Sequence, residues 1–190
     1  MLALPVFLDA NALMPISLAD LLLRLTEEGL IEPFWSQHVL DSALRAAQRQ
    51  RPDIDPAKLT QRFTAMKMAF PEAMIDTKGT NPAEYPSPDP EDQLVMAAAH
   101  RSPAHIIITR NLAHFPQTTL DRYQMKAQTA DRLLLDILAS NRDQLVDVFQ
   151  EMQKQMKHPP LTVEDMLDNL AKAGVPDFAA AFRTPSAKKR

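Results

Sequence analysis

Three acids and one amide stand where a chain can gather them around a cation. Asp9 closes a short apolar run, Asp92 falls at the start of a helical stretch, and Asn111 follows the uncharged run Ile106-Ile107-Ile108. Asp41 lies in a further helical stretch. If the runs ending at Leu8 and Ile108 are neighbouring strands, these groups crowd one rim, where a bound cation or proton uptake relieves their repulsion. Oxygen ligands without Cys or clustered His suit Mg²⁺ or Mn²⁺ better than zinc. Such an ion polarises a phosphoryl oxygen and supplies hydroxide for attack on phosphorus.

Each residue has a plainer role beside this one. Asp9 can end a strand in a turn, Asp41 can pair with Arg45 four positions on, and Asp89 suits a helix N-cap better than a ligand. His100, His105 and His114 lack metal-ligand spacing and His38 borders an apolar stripe, so structural or surface roles are expected for all four. Ser36 and Ser87 have no paired base, which leaves a Ser/His/Asp hydrolase without support. A phosphatase of the haloacid-dehalogenase type needs a second acid two residues after the first, and Asp9-Ala10-Asn11 lacks it.

The elements that must position these groups follow from the pattern. Asp89-Pro90-Glu91-Asp92 reads as a capped helix start with acids in its first turn, where the helix dipole favours them. Ser102-Pro103 breaks that helix, and Ile106 to Ile108 has the β-branched character of a strand buried on both faces of a parallel sheet. Ligands collect beyond the carboxyl ends of such strands, so Thr109, Arg110 and Asn111 belong at the rim. Leu4 to Leu8 predicts a first strand and Asp9-Ala10-Asn11 a turn. A helix from a Ser17/Asp20 capping box to Gly29 follows, then a second strand to Trp35. Ser36 caps a helix with its stripe at Val39, Leu40, Ala43, Leu44 and Ala47, Asp55-Pro56 opens another, and Met74-Ile75 predicts a short strand. Residues 77–88, with three prolines, form a loop. Residues 112–116 predict a turn and 123–128 an edge strand. From Thr129 on the pattern is helical, with a Thr162/Asp165 capping box and stops at Pro159-Pro160 and Gly174.

Composition bounds the rest. A chain of 190 residues, 45% hydrophobic, supports one substantial core with an appendage. We expect one domain over 1–140, a helical extension over 141–183 and a disordered basic tail over 184–190. The net charge of −3 argues against bulk coating of nucleic acid, yet leaves room for a local grip on a backbone through a metal. The absence of cysteine excludes thiol nucleophiles and disulfides and fits a reducing cytoplasm. Three glycines are too few for a phosphate-cradling loop. No apolar run approaches the roughly 20 residues of a membrane span, and the start is too short for a signal peptide.

Taken in order, Val6-Phe7-Leu8-Asp9-Ala10-Asn11, Trp35-Ser36 with Val39-Leu40-Asp41, Pro88-Asp89-Pro90-Glu91-Asp92 with Ala97-Ala98-Ala99, Ile108-Thr109-Arg110-Asn111 and Phe115-Pro116 resemble the PIN-domain ribonucleases. The likeness runs from about Leu4 to Leu138 and is nearest to VapC-type toxins of VapBC toxin–antitoxin pairs with a helical C-terminal region. The resemblance implies an α/β three-layer fold with a five-stranded parallel sheet flanked by helices. It also implies a Mg²⁺- or Mn²⁺-dependent endoribonuclease, homodimerisation and inhibition by a cognate antitoxin. By position Asp9, Asp41, Asp92 and Asn111 match the four family site positions. For such a nuclease we expect Asp9 and Asp92 to hold the metal, Asp41 and Asn111 to complete or orient its water shell, and Arg110, Asn11 and Thr109 to face the RNA, with Arg45 or Lys78 as further cations toward the backbone. The second position is usually Glu, the fourth Asp or Asn, and His114 stands where an acid often precedes the Phe. The alternative is a non-catalytic protein that keeps the sheet and binds RNA or a protein partner.

Overall fold

The computed structural model describes residues 2–156 and 160–184, and its contacts divide the chain into two compact units, Met1–Thr129 and Ala130–Arg190. The first is built on strands β1 (Leu4–Leu8), β2 (Ile31–Ser36), β3 (Met74–Ile75), β4 (Ile106–Ile108) and β5 (Lys126–Gln128). All pairings are parallel, in the order β3-β2-β1-β4-β5. Helices α1 (Ala10–Leu13), α2 (Ile16–Glu27), α3 (Gln37–Gln50), α4 (Pro56–Ala69), α5 (Pro90–Arg101) and α6 (Gln117–Arg122) flank the sheet, the architecture the sequence indicates.

The central strands explain the site. Val6, Phe7, Leu8, Ile107 and Ile108 are fully buried, as uncharged runs covered on both faces must be. Leu8 pairs with Ile108, and Asp9 N–H continues the ladder onto Ile108 C=O at 3.0 Å. From β1 the chain steps outward through β2 to β3, whereas β4 and β5 lie on the other side. The order therefore reverses at β1, and a crevice opens beyond the carboxyl ends of β1 and β4.

Local expectations hold at several caps. Ser36 accepts from Val39 N–H, Asp55 from Ala57 N–H, and Asp89 from Glu91 N–H. Gly29 ends α2 at φ +68, a left-handed conformation unfavourable for residues with a Cβ. Three readings are corrected. The residues after Asp9 form the one-turn helix α1 rather than a plain turn. Helix α2 opens on Pro15 with no side-chain cap, so Ser17 lies inside it and Asp20 instead pairs with Arg24 at 3.3 Å. The edge strand is shorter than 123–128, because α6 and Gln124, at φ +54, turn the chain before Lys126.

The second unit comprises α7 (Ala130–Gln155), α8 (Val163–Lys172) and α9 (Pro176–Arg183). Asn141, beside the boundary expected from sequence, holds a non-helical conformation within α7 (φ −132, ψ 35). Phe149, Phe178 and Phe182 form one aromatic cluster, with the Phe149 and Phe182 rings 4.6 Å apart. Side chains of α7 cap both ends of α9. Asp131 accepts from Asp177 N–H (3.1 Å) and Phe178 N–H (2.8 Å), and Arg142 donates to the carbonyls of Phe182 and Thr184. Thr162 and Asp165 make the expected capping box. Pro159 and the tail beyond Thr184 lie outside the described residues. Among the described residues no helix is long and apolar enough to cross a membrane.

Candidate active site

Asp9 is 4% exposed at the end of β1, where it caps α1, and it is held from three sides. Its Oδ1 accepts from Ala10 N–H at 2.6 Å, and its Oδ2 accepts from Asn11 Nδ2 at 2.5 Å and Thr109 Oγ1 at 2.7 Å. Thr109 Oγ1 also accepts from Asn11 Nδ2 (3.0 Å) and Asn111 N–H (3.1 Å), while Asn11 Oδ1 accepts from Arg110 N–H (2.8 Å). The ends of β1 and β4 are thereby laced together around one carboxylate. Burial pushes the Asp9 carboxyl above its ordinary value, and the donors from Thr109, Ala10 and Asn11 offset part of that rise.

Asp92 enters from the first turn of α5 and is 7% exposed. Its Oδ2 stands 2.8 Å from Nδ1 of His114, which sits at the end of the 3-10 turn Leu112–His114 following β4. Burial raises this carboxyl too; the His114 hydrogen bond opposes the rise, and the charges of Asp9 and Asp89 add to it. Asp89 divides its oxygens, Oδ1 capping Glu91 N–H at 3.0 Å and Oδ2 facing His114 Nδ1 at 3.9 Å. Ser87 ties this corner together by donating to His114 C=O (2.7 Å) and accepting from Asp89 N–H (3.2 Å).

Asp9, Asp89 and Asp92 face an open cavity of about 630 Å³. Its acidic side carries Asp9, Asp89 and Asp92, and its other wall is α3, through His38, Ser42, Arg45 and Arg49. Glu91 crosses between them, with Oε2 3.2 Å from His38 Nε2 and 3.8 Å from Arg45 Nη2. Arg110 and Asn111 complete the rim. The arrangement sets carboxylate oxygens that could hold a cation beside the Arg45 and Arg49 wall, which suits a phosphodiester.

Asp41 is not among the residues that line this cavity, although its helix neighbours His38, Ser42 and Arg45 are. It is exposed at the margin of the α3 face, and its carboxylate is turned to Gln37 Nε2 at 2.7 Å, where Gln37 in turn accepts from Lys67 of α4 at 2.7 Å. Thr109 is 1% exposed, so its hydroxyl positions Asp9 and is out of reach of a substrate. Asn11 lines the cavity, but its amide is spent on Asp9, Thr109 and Arg110. Asp9, Asp92, Arg110 and Asn111 do come together.

A divalent cation fits the donor set. Asp89, Asp92 and His114 each offer one ligand atom, all within 4.8 Å of one another, and Asp9 adds its charge to Asp92. The sequence marks Asp89 as an N-cap, which it is, but not the approach of its second oxygen to His114. His114 was not legible, because its neighbour lies 22 residues away across the sheet connection.

Two family models match the chain: a PIN domain over residues 5–113 and a VapC50 C-terminal domain over residues 130–184. The curated protein "Putative ribonuclease VapC50" of Mycobacterium tuberculosis is 41% identical over 93 residues, covering 49% of this chain and 54% of its own length. The match thus spans about half of that relative. No solved structure matches.

Proposed function

The chain belongs to the PIN-domain family, and on that footing we propose that it is a divalent-metal-dependent endoribonuclease acting as the toxin of a VapBC-type pair. The observation that carries this reading is the meeting of Asp9 and Asp92 in one cavity, each carboxyl raised by burial and Asp92 further by its neighbour's charge. Asp9 and Asp92, with Asp89 and His114 beside them, would hold Mg²⁺ or Mn²⁺, which when bound supplies Lewis acidity toward a phosphodiester and lowers the pKa of water. Thr109 and Asn11 hold Asp9 in place. Arg45, Arg49 and Arg110 draw the RNA backbone along the α3 wall, and Asn111 offers an amide at the rim.

In this reading residues 1–140 carry the chemistry and 141–183 form the helical extension. The likeness of residues 130–184 to the VapC50 C-terminal domain supports the toxin assignment. A cognate antitoxin protein, a homodimer and a cytoplasmic setting belong to the same proposal. The test is direct. The purified full chain is incubated with cellular RNA and Mg²⁺ or Mn²⁺, with Asp92→Asn alongside, and the cleavage ends are sequenced. Cleavage that stops with chelator and is lost in the variant supports the reading; a fully active variant, or no turnover with any divalent ion, overturns it.

A further inference from the structure

We propose that His114 is a nitrogen donor in the cation site, together with Asp89 and Asp92, and that this makes the site select Mn²⁺ over Mg²⁺. The inference rests on the metal-dependent reading above and narrows it.

Geometry carries the argument. Ligands at about 2.1 Å from one octahedral ion stand about 3 Å apart when adjacent and about 4.2 Å apart when opposite. His114 Nδ1 lies 2.8 Å from Asp92 Oδ2 and 3.9 Å from Asp89 Oδ2, and the three atoms fall within 4.8 Å of each other. The two separations from His114 Nδ1 match those of adjacent and opposite ligands on one ion. Each part is also held from behind: the second oxygen of Asp89 is fixed on Glu91 N–H, and the carbonyl of His114 on Ser87 Oγ. The imidazole thus reaches the cluster from a pinned backbone.

Without a cation the Asp92–His114 pair is a hydrogen bond of 2.8 Å between Oδ2 and Nδ1. To serve as a ligand, Nδ1 would present its lone pair and the ring proton would sit on Nε2. Mg²⁺ strongly prefers oxygen and keeps its waters, whereas imidazole suits the transition metals, so replacing an oxygen by this nitrogen shifts preference toward Mn²⁺. His38 is the imidazole among the residues that line the cavity, and it is turned to Glu91 at 3.2 Å.

The test uses the untagged full chain with Mn²⁺ as probe, followed by pulsed electron paramagnetic resonance and by displacement with Mg²⁺. The wild type is expected to show the nitrogen modulation of a directly bound imidazole, retained in His38→Ala and lost in His114→Gln. His114→Asp, an all-oxygen site, is expected to lower the preference for Mn²⁺ over Mg²⁺ on the order of tenfold. Bound Mn²⁺ without nitrogen coupling in the wild type overturns the inference and leaves the nuclease reading standing. A wild-type chain that binds no Mn²⁺ overturns both. The wild-type spectrum decides whether an imidazole is bound, and its retention in His38→Ala assigns that imidazole to His114 even if His114→Gln fails to fold.

Discussion

Thr109 Oγ1 donates to Asp9 Oδ2 at 2.7 Å across one hundred positions of sequence, the length that separates the ends of β1 and β4. The same hydroxyl accepts from Asn11 and from the backbone of Asn111, so one buried oxygen fixes both sides of the crevice. Thr109→Val keeps the shape and removes the oxygen. Because a donor to a buried carboxylate is lost, the variant should be about 1–3 kcal/mol less stable in urea unfolding. Mn²⁺ affinity should fall about 10–100-fold, since Asp9 loses the partner that aims it. Unchanged affinity in a Mn²⁺ titration would mean Asp9 is held by other means.

Stability against pH gives the second prediction. Asp9 and Asp92 both have folded pKa values raised above the ordinary 3.8, so the folded chain binds their protons more readily than the unfolded chain. Their contribution to stability is fully present below the ordinary value and is lost as pH rises through the folded pKa. At pH 7 the ionised pair therefore weighs against folding when no cation is present. With chelator at pH 7, Asp92→Asn should melt a few degrees above the wild type, and near pH 4 the difference should close. Saturating Mn²⁺ should raise the wild-type melting temperature at pH 7 and leave that of the variant where it was. A variant less stable than wild type in chelator contradicts the burial argument.

Asp41 supplies the third. Its partners are Gln37 and, through it, Lys67, on the margin of α3 beside the residues that line the cavity. Asp41→Ala should lose no more than a few tenths of a kcal/mol. Its RNA cleavage should stay within about twofold of wild type, whereas Asp9→Asn should lose at least a hundredfold. Equal losses in a single-turnover assay would return Asp41 to the site.

The contrast between Asp41 and Asp92 marks what the sequence can tell. Strands β1 and β4 are apolar runs bounded by polar residues, and the caps at Ser36, Asp89 and Thr162 are local, so pattern alone places them. Asp92 was readable because a capped helix start fixes its direction. Asp41 lies only a fraction of a turn from the stripe that faces the cavity, and linear periodicity does not say that its carboxylate turns to Gln37. His114 and Glu91 reach the site through tertiary pairings with Asp92 and His38, which leave no spacing signal at all. The short helix α6 was missed for a related reason: six residues give no full amphipathic period.

The fourth prediction concerns the second unit. Asp131 and Arg142 of α7 take up the orphan N–H groups and carbonyls at the two ends of α9, and the Arg142 guanidinium also lies 5.6 Å from the Phe182 ring centre. Helix α9 has only eight residues, too few to persist without such contacts. Asp131→Ala and Arg142→Ala should each destabilise it by about 1–2 kcal/mol. Hydrogen exchange read by mass spectrometry should show faster exchange over Pro176–Arg183 in both variants. Trp35, the single tryptophan and a residue of β2, should report unchanged fluorescence in the native state. If α9 keeps its protection in both variants, the Phe149–Phe178–Phe182 cluster alone holds the helix, and the caps are ornament to it.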